Sequence, residues 1–180
     1  AVIMGPCAGG ACYAPALCDY IFMTEQNGQM YLTGPKVIKE VTGEVVTTAE
    51  LGGADVHMSK SGVAHFVYPD DETCLDGVKR LLSYLPENFE EKPPYVEPIK
   101  KYYHKRLRDI VSPNPRVSYD MHEVIEELAD KDSFMEVQSG FAMNIIVGFM
   151  RMDGQTVGVV ANQPEYLAGS LDFNAGDKGG

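Results

Sequence analysis

The sequence predicts an α/β protein built from two incomplete blocks. Short β-rich runs alternate with helical patterns over residues 1–85, the order that builds layered α/β folds. Six of the eleven prolines (Pro86, Pro93, Pro94, Pro98, Pro113, Pro115) then separate that block from a second one, residues 119–180. Within the second block, Asp153-Gly154 lies between two β-rich runs, the strongest short-range hairpin signal in the chain.

In chain order, Ala1–Met4 reads as the end of an apolar strand. Ala11–Leu17 is small and apolar, follows a glycine pair, and predicts the start of a buried helix. Tyr20–Thr24 and Gln29–Thr33 are β-rich. Pro35–Val41 predicts a short helix with proline in its first turn. Ala64–Tyr68 is a further strand. Asp71–Tyr84 places Cys74, Val78, Leu81 and Leu82 on one face, with Asp70 or Asp71 as cap and Pro86 as stop. Residues 86–118 read as an extended linker carrying one short basic helix, Ile99–Asp109. Asp120–Ala129 is amphipathic through Met121, Val124, Ile125 and Leu128. Phe134–Val137, Asn144–Arg151 and Thr156–Ala161 are strands. A helix should follow near Asn174, where the sequence stops, and the first strand has no beginning. The chain therefore reads as an internal fragment of a longer protein.

Composition excludes several classes. Asp plus Glu total 26 against 15 Lys plus Arg, a net charge of −11. A phosphate-backbone binder carries the opposite balance, so nucleic acid is not an expected partner. No apolar run approaches the length of a membrane span. Cys7, Cys12, Cys18 and Cys74 form no C-x-x-C pair and have no paired histidines, so no metal site is expected. Free thiols and the absence of a leader pattern point to a cytoplasmic protein.

The segment richest in chemistry is Gly5-Pro6-Cys7-Ala8-Gly9-Gly10-Ala11-Cys12-Tyr13. A strand ends, the chain turns through small residues, and a helix begins. Gly9 and Gly10 have no Cβ, so their N–H groups can approach a ligand closely at a helix N-terminus. Two such donors aimed at one point make an oxyanion hole. A tight strand–helix turn that needs glycine only for packing has the same pattern, and on the residues alone both readings stand. His57 and His65 flank Gly62 and are either general bases or hydrogen-bonded structural histidines. Cys7 lacks a basic partner in sequence and reads as a small buried residue. Lys100–Arg108 reads as a solvated basic helix, with CoA phosphates as the alternative contact. Glu123, Glu126 and Glu127 read as a solvated helix face.

Longer runs carry a resemblance. MGPCAGGACYAPALCDYIFM (4–23), YLTGPKVIKEVTGEVVTTAELGGADVH (31–57) and SGVAHFVYPDD (61–71) resemble the carboxyltransferase subunit of biotin-dependent acyl-CoA carboxylases. The closest types are the propionyl-CoA carboxylase β and methylmalonyl-CoA decarboxylase α subunits. YDMHEVIEELAD (119–130), NIIVGFMRMDGQTVGVVANQP (144–164) and AGSLDFNAGDKG (168–179) continue it in family order.

The resemblance implies a crotonase-like (ClpP/crotonase) fold, with residues 1–85 ending one carboxyltransferase domain and 119–180 starting a second. It implies carboxyl transfer between carboxybiotin and the α-carbon of a short acyl-CoA, propionyl-CoA or methylmalonyl-CoA. It makes Gly9 and Gly10 the backbone donors of one of two oxyanion holes, the second lying past residue 180. Ala8, Ala11, Gly52, Gly53 and Gly62 become candidate substrate-binding residues. The implied partners are a biotin carboxyl carrier protein, a biotin carboxylase or membrane decarboxylase subunit, and further copies of the full-length subunit. The linker Tyr102–Arg106 and Phe173 depart from the propionyl-CoA carboxylase pattern, so carboxylase and sodium-pumping decarboxylase both stay open. Two other functions are consistent with the same turn: a crotonase-type hydratase or hydrolase, and a non-catalytic acyl-CoA-binding or assembly module.

Overall fold

A computed structural model describes residues 1–98 and 106–180. The chain divides into two compact units, Ala1–Lys79 and Arg80–Gly180.

The first unit is a coil of strand, strand and helix. One sheet is all parallel, in the order β1 (Val2–Ile3), β3 (Phe22–Thr24), β5 (Phe66–Tyr68). A second, two-stranded parallel sheet pairs β2 (Pro6–Ala8) with β4 (Gln29–Tyr31). Each turn of the coil visits the first sheet, then the second, then a helical segment. The first turn closes with a 3₁₀ turn, Gly9–Cys12, and a four-residue helix α1, Tyr13–Ala16. The second closes with α2 (Pro35–Thr42), α3 (Thr48–Gly52) and α4 (Ala54–Ser59). Helix α5 (Asp71–Leu82) follows β5.

The central strand explains the core. Phe22, Met23 and Thr24 are all buried, as a parallel strand covered on both faces must be. Phe22 stacks on its cross-strand neighbour Phe66 at 4.6 Å between ring centroids. Ile3, Ile21, Met30, Ala54 and Ala64 complete the cluster around Met23.

Local chemistry sets the helix ends. Pro35 opens α2, and Gly43, at φ +78°, closes it in the left-handed region. Thr47 and Glu50 form a reciprocal capping box on α3. Asp70 Oδ1 accepts from the Thr73 N–H at 2.9 Å at the start of α5.

One expectation is corrected here. The Ala11–Leu17 segment is not a buried helix: only Cys12 is buried, while Tyr13 is 63% and Leu17 88% exposed. Apolar composition does not bury a segment that no other layer covers, and nothing among the described residues covers this one.

The second unit is an antiparallel sheet, β6 (Met135–Val137), β7 (Ile145–Met152), β8 (Gln155–Asn162). Asp153 and Gly154 form the expected two-residue hairpin loop, both with positive φ (49° and 79°). Helix α7 (Met121–Leu128) lays Ile125 on Ile146 and Met150. A further helix, α8 (Phe173–Gly179), buries Ala175 and Lys178. Of the expected basic helix, residues 99–105 lie outside the described residues; Leu107–Ile110 form α6. Arg106, at its start, reaches Glu123 (Nη2 to Oε2, 3.6 Å), and its N–H donates to Glu127 Oε1 at 3.3 Å. That side of α7 is therefore partly engaged.

Candidate functional site

The glycine turn sits where β2 leaves the second sheet. Ala8 is the last residue of β2 and pairs with Tyr31 of β4. The chain then turns into the 3₁₀ segment at Gly9, whose φ is +62°. A side chain is strained in that conformation, so backbone geometry alone explains glycine there. Gly10 is different. Its φ is not positive, it is exposed, and a Cβ built on it meets nothing within 4 Å. Neither strain nor packing within the described residues calls for glycine at this position.

The two main-chain donors of the pair differ. The register of β2 on β4 directs the Gly9 N–H at Tyr31 O, because the Gln29 N–H donates to Gly5 O and Ala8 pairs with Tyr31; Gly10 lies beyond the last pair of that ladder. The first N–H groups of any helical segment have no partner inside it. Gly10, itself exposed, sits beside two short side chains, Ala8 and Ala11, both exposed.

Cys12 closes the turn from beneath. Its buried thiol donates to Cys7 O at 2.9 Å and lies 3.3 Å from Tyr31 O. One side chain thus ties the end of the turn to β2 and β4 together. Burial, and then the hydrogen bond with Cys12, push the Cys7 thiol above its ordinary pKa. Cys7 is therefore held neutral, the opposite of a nucleophile's requirement.

The other singled-out residues lie behind this turn or away from it. Gly52 is buried against β4, and a Cβ there would strike the Met30 carbonyl. Gly53 has its Cβ position 2.8 Å from Ala49 O and bridges Gln29 of β4. Gly62 is buried with φ +68°. Packing or conformation explains each of these three glycines.

His57 projects from α4 to the same strand. Its Nε2 is 2.6 Å from Met30 O and its Nδ1 is 2.8 Å from Ser61 Oγ. His65 Nδ1 accepts from the Ile21 N–H at 3.1 Å, and the ring meets Tyr20 edge-on at 5.6 Å. Burial, then the nearby N-terminal ammonium, lower its pKa. His57 is thus engaged at both ring nitrogens, and His65 at Nδ1. Sequence reasoning named Cys12 within the glycine motif but gave it no role in the turn, and it missed the contacts of Met30 and Ser61 with His57. Ser61 alone had a signal, its i+4 spacing from His57; main-chain acceptors leave none.

Among the described residues, no helix is long and apolar enough to cross a membrane, and no cluster of ligating side chains could hold a metal ion.

A coil of paired strands with an open glycine turn at the end of its second sheet is a crotonase-like arrangement, and comparison with known proteins places the family. The model of the carboxyl transferase domain matches residues 1–180, and the chain belongs to that family. It is 54% identical over 179 residues to the carboxyltransferase subunit of propionyl-CoA carboxylase from Haloferax mediterranei, covering 98% of this chain and 35% of that protein. It is 48% identical to the methylmalonyl-CoA decarboxylase α subunit of Propionigenium modestum, covering 98% of this chain and 34% of that one. Among solved structures it superimposes on hexameric transcarboxylase 12S with methylmalonyl-CoA and methylmalonic acid bound. The TM-score is 0.94 and the identity 48%, covering 98% of this chain and 34% of that chain. The chain thus spans about a third of the length of the relatives it matches.

Proposed function

We propose that this chain is part of a biotin-dependent acyl-CoA carboxyltransferase, moving a carboxyl group between carboxybiotin and the α-carbon of a short acyl-CoA. In this reading the N–H groups of Gly9 and Gly10 hold one anionic oxygen of the reaction. The observation that carries it is the glycine turn at the end of β2, with an exposed Gly10 and unfilled space where its Cβ would stand. A cradle of two main-chain N–H groups fits an enolate or a ureido oxygen, and no side-chain acid is needed for that task.

Biotin, delivered on its carrier, supplies the carboxyl group and the ring that accepts it back. This chain's residues do the rest that can be assigned to them. Gly9 and Gly10 donate. Ala8 and Ala11 keep the approach clear of long side chains. Gly52 and Gly53 let α3 lie directly on β4, which sets the height of the turn, and Gly62 shapes the loop behind it. In this reading all three contribute to the substrate pocket from behind.

The expected partners are a biotin carboxyl carrier protein and a biotin carboxylase or membrane decarboxylase subunit, with further copies of the full-length subunit. Support comes from relatives named as subunits and from the hexameric assembly of transcarboxylase 12S. Four free cysteines support a cytoplasmic location. The hydratase alternative needs a carboxylate at the turn.

The test uses the full-length subunit and follows carboxyl loss from methylmalonyl-CoA with free biotin. Gly10→Pro removes one donor and should lower kcat by about 10²–10³-fold. Gly10→Ala keeps the N–H and reports how closely the ligand approaches. An unchanged rate in Gly10→Pro would sink the assignment.

A further inference from the structure

We propose that His57 is a positioning residue that fixes the Gly9–Gly10 turn through the main chain of Met30. The proposal deepens the reading of that turn as an anion cradle and rests on it.

Among the described residues the second sheet holds two short strands, β2 and β4, joined over the pairs Pro6–Gln29, Cys7–Met30 and Ala8–Tyr31. A ladder of three residue pairs is short, so contacts on the far edge of β4 add to its definition. The turn hangs from the end of β2, so its placement is only as well defined as that of β4. A displacement of the order of 1 Å in such a site costs about 10²-fold in rate.

Helix α4 supplies the support. Met30 O looks away from β2 and meets the ring of His57 at 2.6 Å. A carbonyl only accepts, so Nε2 carries the hydrogen. Nδ1 then accepts from the Ser61 hydroxyl at 2.8 Å, and Ser61 Oγ in turn lies 3.4 Å from the Val63 N–H. Ser61 selects the tautomer, and the tautomer grips β4. The same strand is seated against Gly52 and bridged at Gln29 by Gly53. Both ring nitrogens are committed, which leaves none for proton abstraction and sets aside the general-base reading of His57.

The experiment compares His57→Phe, His57→Gln and Ser61→Ala with wild type in the full-length subunit, using methylmalonyl-CoA and free biotin across a pH series. The Gln amide nitrogen reaches the position of Nε2; a phenyl ring donates nothing. His57→Phe should lower kcat about 10–100-fold at every pH, with KM for methylmalonyl-CoA within about twofold. His57→Gln should recover to within about threefold of wild type, with a pH profile of unchanged shape. Ser61→Ala should fall between them. An unchanged kcat in His57→Phe, an effect confined to KM, or the loss of one limb of the pH profile would each overturn the proposal. If His57→Phe does not assemble, Ser61→Ala decides: an unchanged kcat overturns the proposal, and a fall without a KM change supports it. Gly10→Pro separates the two levels. Activity retained in Gly10→Pro refutes the cradle itself. Activity lost there but kept in His57→Phe refutes only the positioning role.

Discussion

Nε2 of His122, on α7, lies 2.9 Å from Oε2 of Glu136, on β6. Nδ1 of the same ring lies 2.8 Å from Oδ1 of Asp120, the cap of α7. Gln163, almost fully buried, donates to the same Asp120 oxygen at 2.6 Å. Burial alone would lower the His122 pKa, but the hydrogen bonds to Glu136 and Asp120 raise it overall. The ring therefore ties the start of α7 to the sheet, and protonation strengthens the tie.

This arrangement makes stability depend on pH. The folded pKa of His122 lies above that of an unfolded histidine, about 6.5. Its contribution is complete below that value and is lost as pH rises through the raised one. The apparent Tm of the full-length subunit should fall over that window, and His122→Gln should flatten the fall. Identical curves for the two proteins would disprove the linkage.

Lys178 predicts a second effect. Its side chain is fully buried, donates to Phe141 O at 2.9 Å and stands 3.7 Å from Glu136 Oε1. Lys178→Met keeps the stem and removes the donor. It should destabilise the folded protein by about 1–3 kcal/mol in denaturant titration. A neutral result would mean that Phe141 O and Glu136 are satisfied without it.

The two glycines of the turn should separate in stability measurements. Gly9→Ala forces a Cβ into the left-handed region and should cost about 1–2 kcal/mol. Gly10→Ala meets open space and should change stability by less than about 0.5 kcal/mol. Equal losses would contradict the backbone conformation described for the turn.

Gly52 and Gly158 make a similar contrast. A Cβ at Gly52 runs into main chain of β4, and Gly52→Ala should cost about 1–3 kcal/mol. At Gly158, on β8, nothing lies within 4 Å. Gly158→Ala should be neutral or stabilising by about 0.5 kcal/mol, because it restricts the unfolded chain. Urea titration of both variants checks the pair.

Much of the fold is legible in the sequence. The Asp153-Gly154 loop, α5 and α7 lie close to where turn chemistry and periodicity put them. Helices α3 and α4 were not anticipated, because Gly52 and Gly53 read as a glycine-rich loop. The capping box of Thr47 and Glu50 was the available clue. In the structure those glycines end one helix and open the next, because only residues without a Cβ fit against β4 and Ala49. At the candidate site, the glycine pair was visible as a motif, but its support was not. His57 meets a carbonyl 27 positions away, and a main-chain acceptor carries no residue type to recognise. The apolar run after the turn misled for the converse reason: composition records what a segment tolerates, not what covers it.

In the proposed cradle the donors belong to the main chain. Replacing Gly10 by any residue except proline leaves its amide in place. A saturation screen would therefore find few dead variants that delete a donor. Loss of function would instead cluster at Gly9, Cys12, Gly52 and His57, whose side chains, or lack of them, set where the amides stand. The genetic footprint of such a site lies as much around it, in Cys12, Gly52 and His57, as in the donors themselves.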